Sequence, residues 1–443
     1  MANKQTIHKI SGGFRNFPGH VFPADTTVKF QLHVENEFFR AHADSIRVQY
    51  IRDDWRYDDG EAVAYWTRDL MHYWQQVKYE YNEGILSFDL ILGGEHEHWI
   101  GITAETEEEL YSEDFALCSL ESDLLQYLPF KGNVHTHSIG SDGDYPPAVV
   151  AARMRRAGND FTAVTDHHEY APSLEAIQAI TPMGSGLVCY PGEEAENYGN
   201  GITHILSLGA DSSITKWKVD PESDFFPKVE ALKKTLPPDL PEHERTYVAQ
   251  FEVIVNRIRE HGGFAVFCHP YWRQNFRFAA TNLMVDTILR RGNFDAVEWG
   301  NYNVPRVAMI NAKYMELVRE FGFNKPILGS ADWHRDTQQD NVDYNIIFAK
   351  SPSFEDFTDA VKNGRCVATG GNRDTFPFGD FRLVKYALFL MDHYFKKYHD
   401  PLCFEQGELM LKALEGDTSV LPRIAELREE LRALPGWFFQ QKQ

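Results

Sequence analysis

Cysteine and positive charge are both scarce in this chain of 443 residues. The five cysteines are widely separated and form no Cys-x-x-Cys pair, which argues against a disulfide framework and predicts reduced thiols. Lysine and arginine number 44 against 65 aspartates and glutamates, a formal net charge of -21. We therefore expect no binding to nucleic acid or to an anionic membrane surface.

Long apolar runs are absent from the sequence as well. No stretch approaches the roughly 18 apolar residues of a membrane span, and the N-terminal segment MANKQTIHKISGGF has no apolar signal core. With the reduced thiols, this predicts a cytoplasmic protein; the oligomeric state is not encoded in any pattern that we identify. The composition, 43% hydrophobic and 25% charged, is that of a globular protein long enough for two or three domains.

Residues 1–127 have the pattern of a small β-sandwich. The segments VKFQLHV, SIRVQYI and ILSFDLIL alternate apolar and polar residues or run apolar, and glycine-containing turns punctuate them. The region is also rich in aromatic side chains, which either fill the sandwich core and an interdomain seam or form a sugar-binding platform. These aromatic residues are Trp55, Tyr57, Tyr65, Trp66, Tyr73, Trp74, Tyr79, Tyr81 and Trp99.

Residues 128–375 alternate short apolar runs with helical segments, as in a parallel α/β barrel or open sheet. An acidic, proline-rich insert at 211–247 breaks this rhythm and is expected to lie over the barrel face. Residues 376–443 show apolar positions at helical spacing, which predicts a helical C-terminal extension packed on the barrel. Within the barrel region, helices are predicted at 146–160, 251–263 and 307–323.

In this middle region, several successive apolar segments each have a histidine, aspartate or glutamate beside them. The segment NVHTHSIGSDG carries His135 and His137 two residues apart, so that in an extended chain both rings point the same way. By the same alternation His168 points away from His167 and is left out of the candidate site. The other groups at apolar runs are Asp166-His167, Glu193-Glu194, His204, His269-Pro270, Glu298 and Asp332-Trp333-His334.

The position of these groups predicts a metal site. Active sites of α/β barrels lie at the carboxyl ends of the strands, and most of these groups stand where a predicted strand ends. So many ionisable groups in one cup would repel each other or be desolvated at great cost without cations among them. Imidazole and carboxylate ligands suit Zn, Mn or Fe.

In their order, these motifs resemble those of the metal-dependent PHP family (polymerase and histidinol phosphatase). His-Thr-His-Ser before Ser141-Asp142-Gly143 looks like its first motif, and Val-Thr-Asp166-His167 looks like its second. The resemblance covers about 128–372 and implies a distorted (β/α)7 barrel with two or three divalent ions. GRCVATGG at 364–371 is similar to a stretch of the carbaryl-hydrolase-like branch. The remaining motifs match Gly192-Glu193, His204, His269-Pro270 and Ser330-Ala331-Asp332-Trp333-His334.

The resemblance implies nine metal ligands in three groups. Asp166 would orient a neighbouring ligand instead of binding metal, and Glu298 is a further candidate at another strand end. The three implied groups are His135, His137, Glu193 and Asp332 around one ion, His204 and His269 with Glu193 as the bridge around a second, and Asp142, His167 and His334 around a third.

The main hypothesis is hydrolysis of a small phosphorylated substrate by a water that two ions share and activate. Asp332 would orient the hydroxide and take its proton. Arg273 and Arg335 would clamp the phosphate oxygens, or would instead form surface ion pairs. Two alternatives stay open: a carboxyl ester, amide or carbamate hydrolase on the same metal site, and a glycan-binding protein with a regulatory barrel. Related amidohydrolase barrels often bridge their ions through a modified lysine, so a glutamate there favours the phosphoesterase.

Overall fold

The computed structural model describes residues 5–54, 74–197, 201–274, 276–300, 304–330, 332–335, 343–369 and 377–440. The chain forms two compact units. Residues 1–126 together with 432–443 make up the first unit, and residues 127–431 make up the second. The division at 126 lies beside the predicted end of the β-sandwich, whereas the predicted helical extension 376–443 is shared between both units.

Antiparallel and parallel strands build the first unit as two sheets. The larger sheet has the order β1-β10-β9-β5-β6, with β3 paired to β10, and the smaller has the order β2-β4-β8-β7. Short helices are α1 (Glu37–Ala41) and α2 (Ser122–Leu125). The strands are β1 (Thr6–Lys9), β2 (Phe14–Arg15), β3 (Val21–Pro23), β4 (Thr26–Val34), β5 (Arg47–Arg52), β6 (Gln75–Val77), β7 (Glu80–Asn82), β8 (Ile85–Leu92), β9 (Glu97–Glu105) and β10 (Glu109–Leu120).

Alternation along β4 explains the core of the first unit. Phe30, Leu32 and Val34 are buried, while the residues between them are exposed. One face of the strand is therefore removed from water, which stabilises the fold by about 1.5–3 kcal/mol for each large side chain. These side chains share a single core with apolar residues of both sheets. Tyr79 and Tyr81 pack against that core, which favours the core-filling interpretation for these two. Trp55, Tyr57, Tyr65, Trp66 and Tyr73 of the predicted aromatic set lie outside the described residues.

The second unit is a mixed α/β structure. Its strands are β11 (Leu128–Asn133), β12 (Phe161–Ala163), β13 (Val188–Tyr190), β14 (Gly192–Glu196), β15 (His204–Leu208), β16 (Phe264–Phe267), β17 (Arg273–Gln274), β18 (Arg277–Phe278), β19 (Ala296–Gly300), β20 (Ile327–Ser330), β21 (Tyr344–Ala349) and β22 (Cys366–Thr369). Its helices are α3 (Pro147–Arg156), α4 (Ala171–Ile180), α5 (Ile214–Val219), α6 (Phe225–Lys233), α7 (Glu242–Glu260), α8 (Asn282–Arg291), α9 (Val304–Phe321), α10 (Phe354–Lys362), α11 (Phe381–Leu390), a π-helical stretch (Met391–His399), α12 (Asp400–Leu414) and α13 (Leu421–Phe438), the last of which runs on into the first unit.

Two five-stranded sheets form the centre of this unit, in the orders β13-β12-β11-β21-β22 and β14-β15-β16-β19-β20. Parallel bridges between Thr136 and Trp333 and between His167 and Glu194 connect them at strand ends. Within the described residues no continuous ladder closes the two sheets into a barrel. The sheets are also not wholly parallel: β15 is antiparallel to β14 and β16, because the connection 197–203 is too short for a parallel crossover of about a dozen residues.

Helices cover the sheets and fix the strand ends. Val248, Phe251, Val255 and Ile258 of α7 recur at three- and four-residue spacing and are all buried, so one helix face packs in the same core as Phe267 of β16. The helical tail packs closely too, since a Cβ on Gly407 of α12 would clash with the backbone of Arg156 in α3. No helix in the described ranges is both long and apolar enough to cross a bilayer.

Candidate metal centre

Strand ends bring imidazole and carboxylate groups to one place in the second unit. Glu196 at the end of β14 pairs with His204 at the start of β15. Because these two strands are antiparallel, the start of one lies beside the end of the other, which explains how His204 joins groups that follow their strands. The groups that follow strands are His135 and His137 after β11, His167 after β12, His269 after β16, and Asp332 and His334 after β20.

Four side chains place their polar atoms around one point. The Nε2 atoms of His135 and His137 lie 3.2 and 3.3 Å from Oε2 of Glu194. The same two nitrogens lie 3.3 and 3.0 Å from Oδ1 of Asp332. Ligands about 2.0–2.1 Å from a tetrahedral ion are about 3.3 Å from one another, so the measured separations match the edges of such a coordination shell.

Several of these atoms are buried without a hydrogen bond. Nε2 of His135, Nε2 of His137 and Oε2 of Glu194 make none within the described residues, and neither does Nδ1 of His167, which lies 3.1 Å from the same Oε2. A buried polar atom without a partner costs about 1–3 kcal/mol, so their convergence requires something that satisfies all of them. A divalent cation does so, and an imidazole and carboxylate donor set suits Zn, Mn or Fe.

A second group of ligands shares Glu194 and Asp332 with the first. Oε1 of Glu194 lies 2.8 Å from Nδ1 of His204 and 3.2 Å from Nε2 of His269. Oδ2 of Asp332 lies 4.0 Å from the same nitrogen of His269. Each carboxylate therefore offers one oxygen to each group. His269 and Asp332 have φ angles of 23° and 47°, a region that non-glycine residues rarely adopt and that clusters at functional sites.

The structure corrects the prediction that Glu193 is the bridging ligand. Side chains alternate along β14, so Glu194 points into the centre while Glu193 points the other way. The Glu193 carboxylate accepts hydrogen bonds from the Ser213 hydroxyl at 2.9 Å, from the Thr215 backbone N–H at 3.0 Å and from the Ile214 N–H. It is therefore bound to the start of α5, and Glu194 lies between the two groups of histidines instead.

The predicted third group is also brought together. Nε2 of His334 lies 3.2 Å from Oδ1 of Asp142, and Nδ1 of His137 and Nε2 of His167 lie 3.7 and 3.8 Å from the same oxygen. A hydrogen bond from His334, with the charges of the three imidazoles, lowers the pKa of Asp142 to about 2 against the effect of burial. The Asp142 side chain is 57% exposed, whereas that of Glu194 is fully buried, so this group lies at the rim of the centre.

Two further carboxylates contact the ligands. Glu298 accepts from Nδ1 of His135 at 2.6 Å and from the His269 backbone N–H at 2.9 Å, so it fixes the ring that presents Nε2 to the centre. Glu196 lies 2.9 Å from Nδ1 of His167 and 3.9 Å from Nε2 of His204. Alternation along β14 puts Glu196 on the same face as Glu194, a signal that would have identified both. Nε2 of His168 also lies 3.4 Å from Glu196, although strand alternation excluded His168 from the candidate site.

Asp166 holds the loop between the first and third groups. Its Oδ1 accepts from the Ser138 backbone N–H and from the Ser141 hydroxyl, both at 2.7 Å. Its Oδ2 accepts from the Ser138 hydroxyl at 2.5 Å. Both carboxylate oxygens are thus used on the segment that joins His137 to Asp142, and the contact orients that segment.

The pKa values of several histidines and carboxylates at the centre are shifted strongly by one another. Burial alone would lower the pKa of His137, but Asp332 and Glu194 raise it to about 9. Glu194 likewise raises the pKa of His204 to about 9 against burial. Burial opposes ionisation of Glu194 and Asp332, yet the neighbouring histidines, His135 first, hold the pKa of each well below its usual range. The buried carboxylates are therefore negative and draw cations.

The two predicted phosphate clamps lie outside this cluster. Arg335 is 52% exposed and its Nε lies 3.9 Å from Oδ2 of Asp144. Arg273 of β17 is exposed and donates to the carbonyl oxygen of Phe276 at 2.6 Å. Both follow ligands closely in the sequence, and their role as anion ligands stays a prediction.

A cavity of about 940 Å³ opens beside the centre, within the range of small-molecule sites. Part of its lining is made by metal-centre residues, namely Asp142, His167, Glu196 and His204. Another part is made by Thr215, Lys216, Lys218 and Val219, from helix α5 of the predicted insert 211–247.

Comparison with known proteins finds similarity among solved structures. No family model matches the chain, and no curated protein does. One similar structure is a two-domain protein from Bacteroides vulgatus containing a predicted PHP-like metal-dependent phosphoesterase, with 19% identity and a TM-score of 0.38. The match covers 55% of this chain and 65% of that protein, so it spans less than two thirds of it. The name of the Bacteroides vulgatus protein refers to the same PHP family that the motifs of this chain resemble.

Two further structures are similar over 46% of this chain and 87% of theirs. One is named as a candidate metal-dependent phosphoesterase from Bifidobacterium adolescentis, with 19% identity and a TM-score of 0.33. The other is an amidohydrolase from Chromobacterium violaceum with bound sulfate and no metal, with 16% identity and a TM-score of 0.31. Because all three TM-scores are below 0.5, the function proposed below rests on the geometry of the site.

Proposed function

We propose that this protein is a metal-dependent hydrolase that cleaves a small phosphate ester with two or three divalent ions, Zn, Mn or Fe. The observation that carries the proposal is the sharing of Glu194 and Asp332 between two groups of histidines, each carboxylate offering one oxygen to either group. Two ions held this way would supply Lewis acidity that activates a water and binds phosphoryl oxygens.

Asp332 is the residue that we assign to proton transfer. Glu194 and Glu298 are fully buried, whereas the Asp332 side chain is 16% exposed. Asp332 therefore stands between the histidines and the solvent, where it can orient the attacking water and accept its proton. The proposed ligands of the non-bridging phosphate oxygens are Arg335, which follows His334, and Arg273, which lies four residues after His269.

The proposal extends to the architecture of the second unit. The bridges Thr136 to Trp333 and His167 to Glu194 are both parallel and both lie at the metal centre. We propose on this basis that the two open sheets are halves of one distorted (β/α)7 barrel of the PHP type, and that the two sheets of the first unit form the β-sandwich.

A substrate panel tests the reaction class. Protein loaded with Mn or Zn is assayed with p-nitrophenyl phosphate, bis(p-nitrophenyl) phosphate and p-nitrophenyl acetate. We expect turnover of a phosphate ester that stops when the metal is removed and in His135→Ala. His243→Ala, at a histidine of α7 that is 69% exposed, is the matched control and should keep full activity.

The panel also separates the proposal from its rival. Turnover of p-nitrophenyl acetate with no turnover of either phosphate ester would favour a carboxyl ester, amide or carbamate hydrolase. Phosphate ester turnover that is fully retained in metal-free protein would contradict the whole account.

A further inference from the structure

Helix α5 supplies part of the lining of the cavity beside the candidate metal centre. Glu196 and His204 of the lining belong to the candidate centre, whereas Thr215 and Lys218 of the lining come from α5 in the insert. The insert that carries α5 was predicted as an excursion over the barrel face, and its contribution to the cavity requires an explanation.

Lys218 is a buried lysine: burial lowers its pKa, the charges of Glu196 and Glu193 act in the opposite direction, and neither carboxylate is within ion-pair distance in the described part of the chain. Its residue is 2% exposed, and its ammonium group donates to the backbone carbonyl of Glu196 at 2.5 Å. An ammonium has three donors, and no carboxylate lies within ion-pair distance of this one in the described part of the chain. A lysine is almost never fully buried unless it is paired, so an anion in the cavity would complete its environment.

Thr215 adds a second unused donor to the same cavity. Its residue is 6% exposed, and its hydroxyl Oγ1 has no hydrogen-bond partner within the described residues. A buried hydroxyl without a partner costs about 1–3 kcal/mol. Thr215 and Lys218 lie three residues apart on α5 and line the same cavity. A hydroxyl and an ammonium are donors suited to a carboxylate or phosphoryl oxygen.

Glu193 holds these two residues in place. It binds the backbone N–H groups of Ile214 and Thr215 and the Ser213 hydroxyl, and so attaches the start of α5 to strand β14. The neighbouring Glu194 belongs to the metal centre. Two adjacent glutamates on opposite faces of one strand therefore fix the position of helix α5 relative to the candidate metal centre.

We propose that Thr215 and Lys218 bind a second anionic group of the substrate, a carboxylate or a second phosphoryl group, while the scissile phosphate lies at the metal centre. The inference rests on the proposed phosphoesterase function and assigns substrate specificity to helix α5. Glu193 is a positioning residue for this site.

Anion binding without turnover provides the first test. Metal-stripped protein is titrated with inorganic phosphate by calorimetry. We expect Lys218→Met to weaken binding about 10–100-fold and Thr215→Val about 10-fold, as for hydrogen bonds to a charged group. Lys218→Arg keeps a cation and should retain most of the affinity. Lys234→Met, at an exposed lysine after α6 that does not line the cavity, is the matched control. Equal phosphate affinity in all variants would overturn the anion site.

Matched substrates provide the second test and distinguish the two kinds of anion. O-phosphoserine and phosphoethanolamine differ by one carboxylate, and fructose 1,6-bisphosphate and fructose 6-phosphate differ by one phosphoryl group. We expect metal-loaded protein to favour the member with two anionic groups in one pair by about 10-fold or more in kcat/KM, and Lys218→Met to bring that ratio towards one. Glu193→Ala should lower the same ratio through KM, and Glu193→Gln, which keeps an acceptor for the helix, should restore it.

The outcomes separate the two proposals. Hydrolysis in which neither ratio depends on Lys218 would contradict the anion site and leave the phosphoesterase standing. Phosphate binding that depends on Lys218, with none of the four esters nor the nitrophenyl phosphates hydrolysed, would contradict the phosphoesterase and leave the anion site standing.

Discussion

Replacing Asp160 with asparagine should destabilise the second unit by about 3–5 kcal/mol, the cost of removing one partner from a buried ion pair. Asp160 lies just before β12 and accepts from Nε2 of His399 at 2.9 Å and from Nη1 of Arg155 at 3.0 Å. His399 also contacts Asp400, which pairs with Lys131 of β11 at 3.0 Å. The network joins the C-terminal helices to two strands that lead into the metal centre.

The pH dependence of this destabilisation follows from the pKa shifts. Burial lowers the pKa of His399, but Asp160 and its other neighbours raise it well above the usual value. That contribution to stability is present below about pH 6.5 and is lost as the pH rises through the folded-state pKa. Burial raises the pKa of Asp160 itself, but His399 and Arg155 lower it below its usual value. That contribution is present above about pH 4 and is lost as the pH falls.

Calorimetry at several pH values measures both effects. Between about pH 4 and 6.5 we expect Asp160→Asn to lower the melting temperature of the second unit by about 6–10 °C, at roughly 2 °C per kcal/mol, with a smaller difference at higher pH. The control is Asp224→Asn, which breaks an exposed pair with Lys228 and should cost at most about 1 kcal/mol. Equal, small shifts for both variants at all pH values would refute the reasoning.

Three further changes have defined outcomes. Glu298→Gln should weaken metal affinity about 10–100-fold, because the carboxylate that orients the His135 ring is lost. Equilibrium dialysis with Zn measures the affinity, and an unchanged value would show that Glu298 does not orient the ligand. Asp142→Asn should remove at most one equivalent of metal, measured by elemental analysis, because Asp142 lies nearest to His334 of the third group, at 3.2 Å, and contacts the first group at the longer distance of 3.7 Å, to Nδ1 of His137; loss of all metal would contradict that grouping. Asn36→Ala should lower the stability of the first unit by about 1 kcal/mol in a thermal melt, because its side chain caps α1 at the N–H groups of Phe38 and Phe39.

Most residues of the candidate metal centre could be named from the sequence, by the spacing of the histidines and by the resemblance of the motifs to the PHP family. A two-residue spacing places His135 and His137 on one side of an extended chain, and the order of the motifs indicated the other strands that contribute. The structure connects these residues and Glu194 by side-chain contacts of 4.0 Å or less, and the connected residues are His135, His137, Asp142, His167, His204, His269, Asp332 and His334. Each of these positions is set by where a strand begins or ends, which hydrophobic patterning reveals.

The choice between Glu193 and Glu194 could not be made in the same way. Both are fully buried, and which of them faces the centre depends on the register of β14 against β15. The pairing of Glu196 with His204 fixes that register, and His204 was already a candidate ligand. Applying strand alternation back from this pair would have selected Glu194 and Glu196 and left Glu193 for α5.

The arrangement of the sheets could not be predicted from local sequence patterns alone. Strand and helix alternation predicts an α/β unit, and the structure has one. The reversal of β15 follows from a short connection, and the attachment of the helical tail depends on the contact of His399 with Asp160, which are separated by 239 positions. Such contacts between distant residues leave little trace in a single sequence.

Metal content of two adjacent variants tests the central claim most directly. Glu194→Gln removes the carboxylate shared by the two groups, and Glu193→Gln changes the neighbouring carboxylate on the opposite face of the same strand. Elemental analysis of folded, Zn- or Mn-equilibrated protein should find about two or more equivalents in the wild type and in Glu193→Gln, and less than one in Glu194→Gln. Full metal content in Glu194→Gln, or its loss in Glu193→Gln alone, would contradict the assignment of this centre.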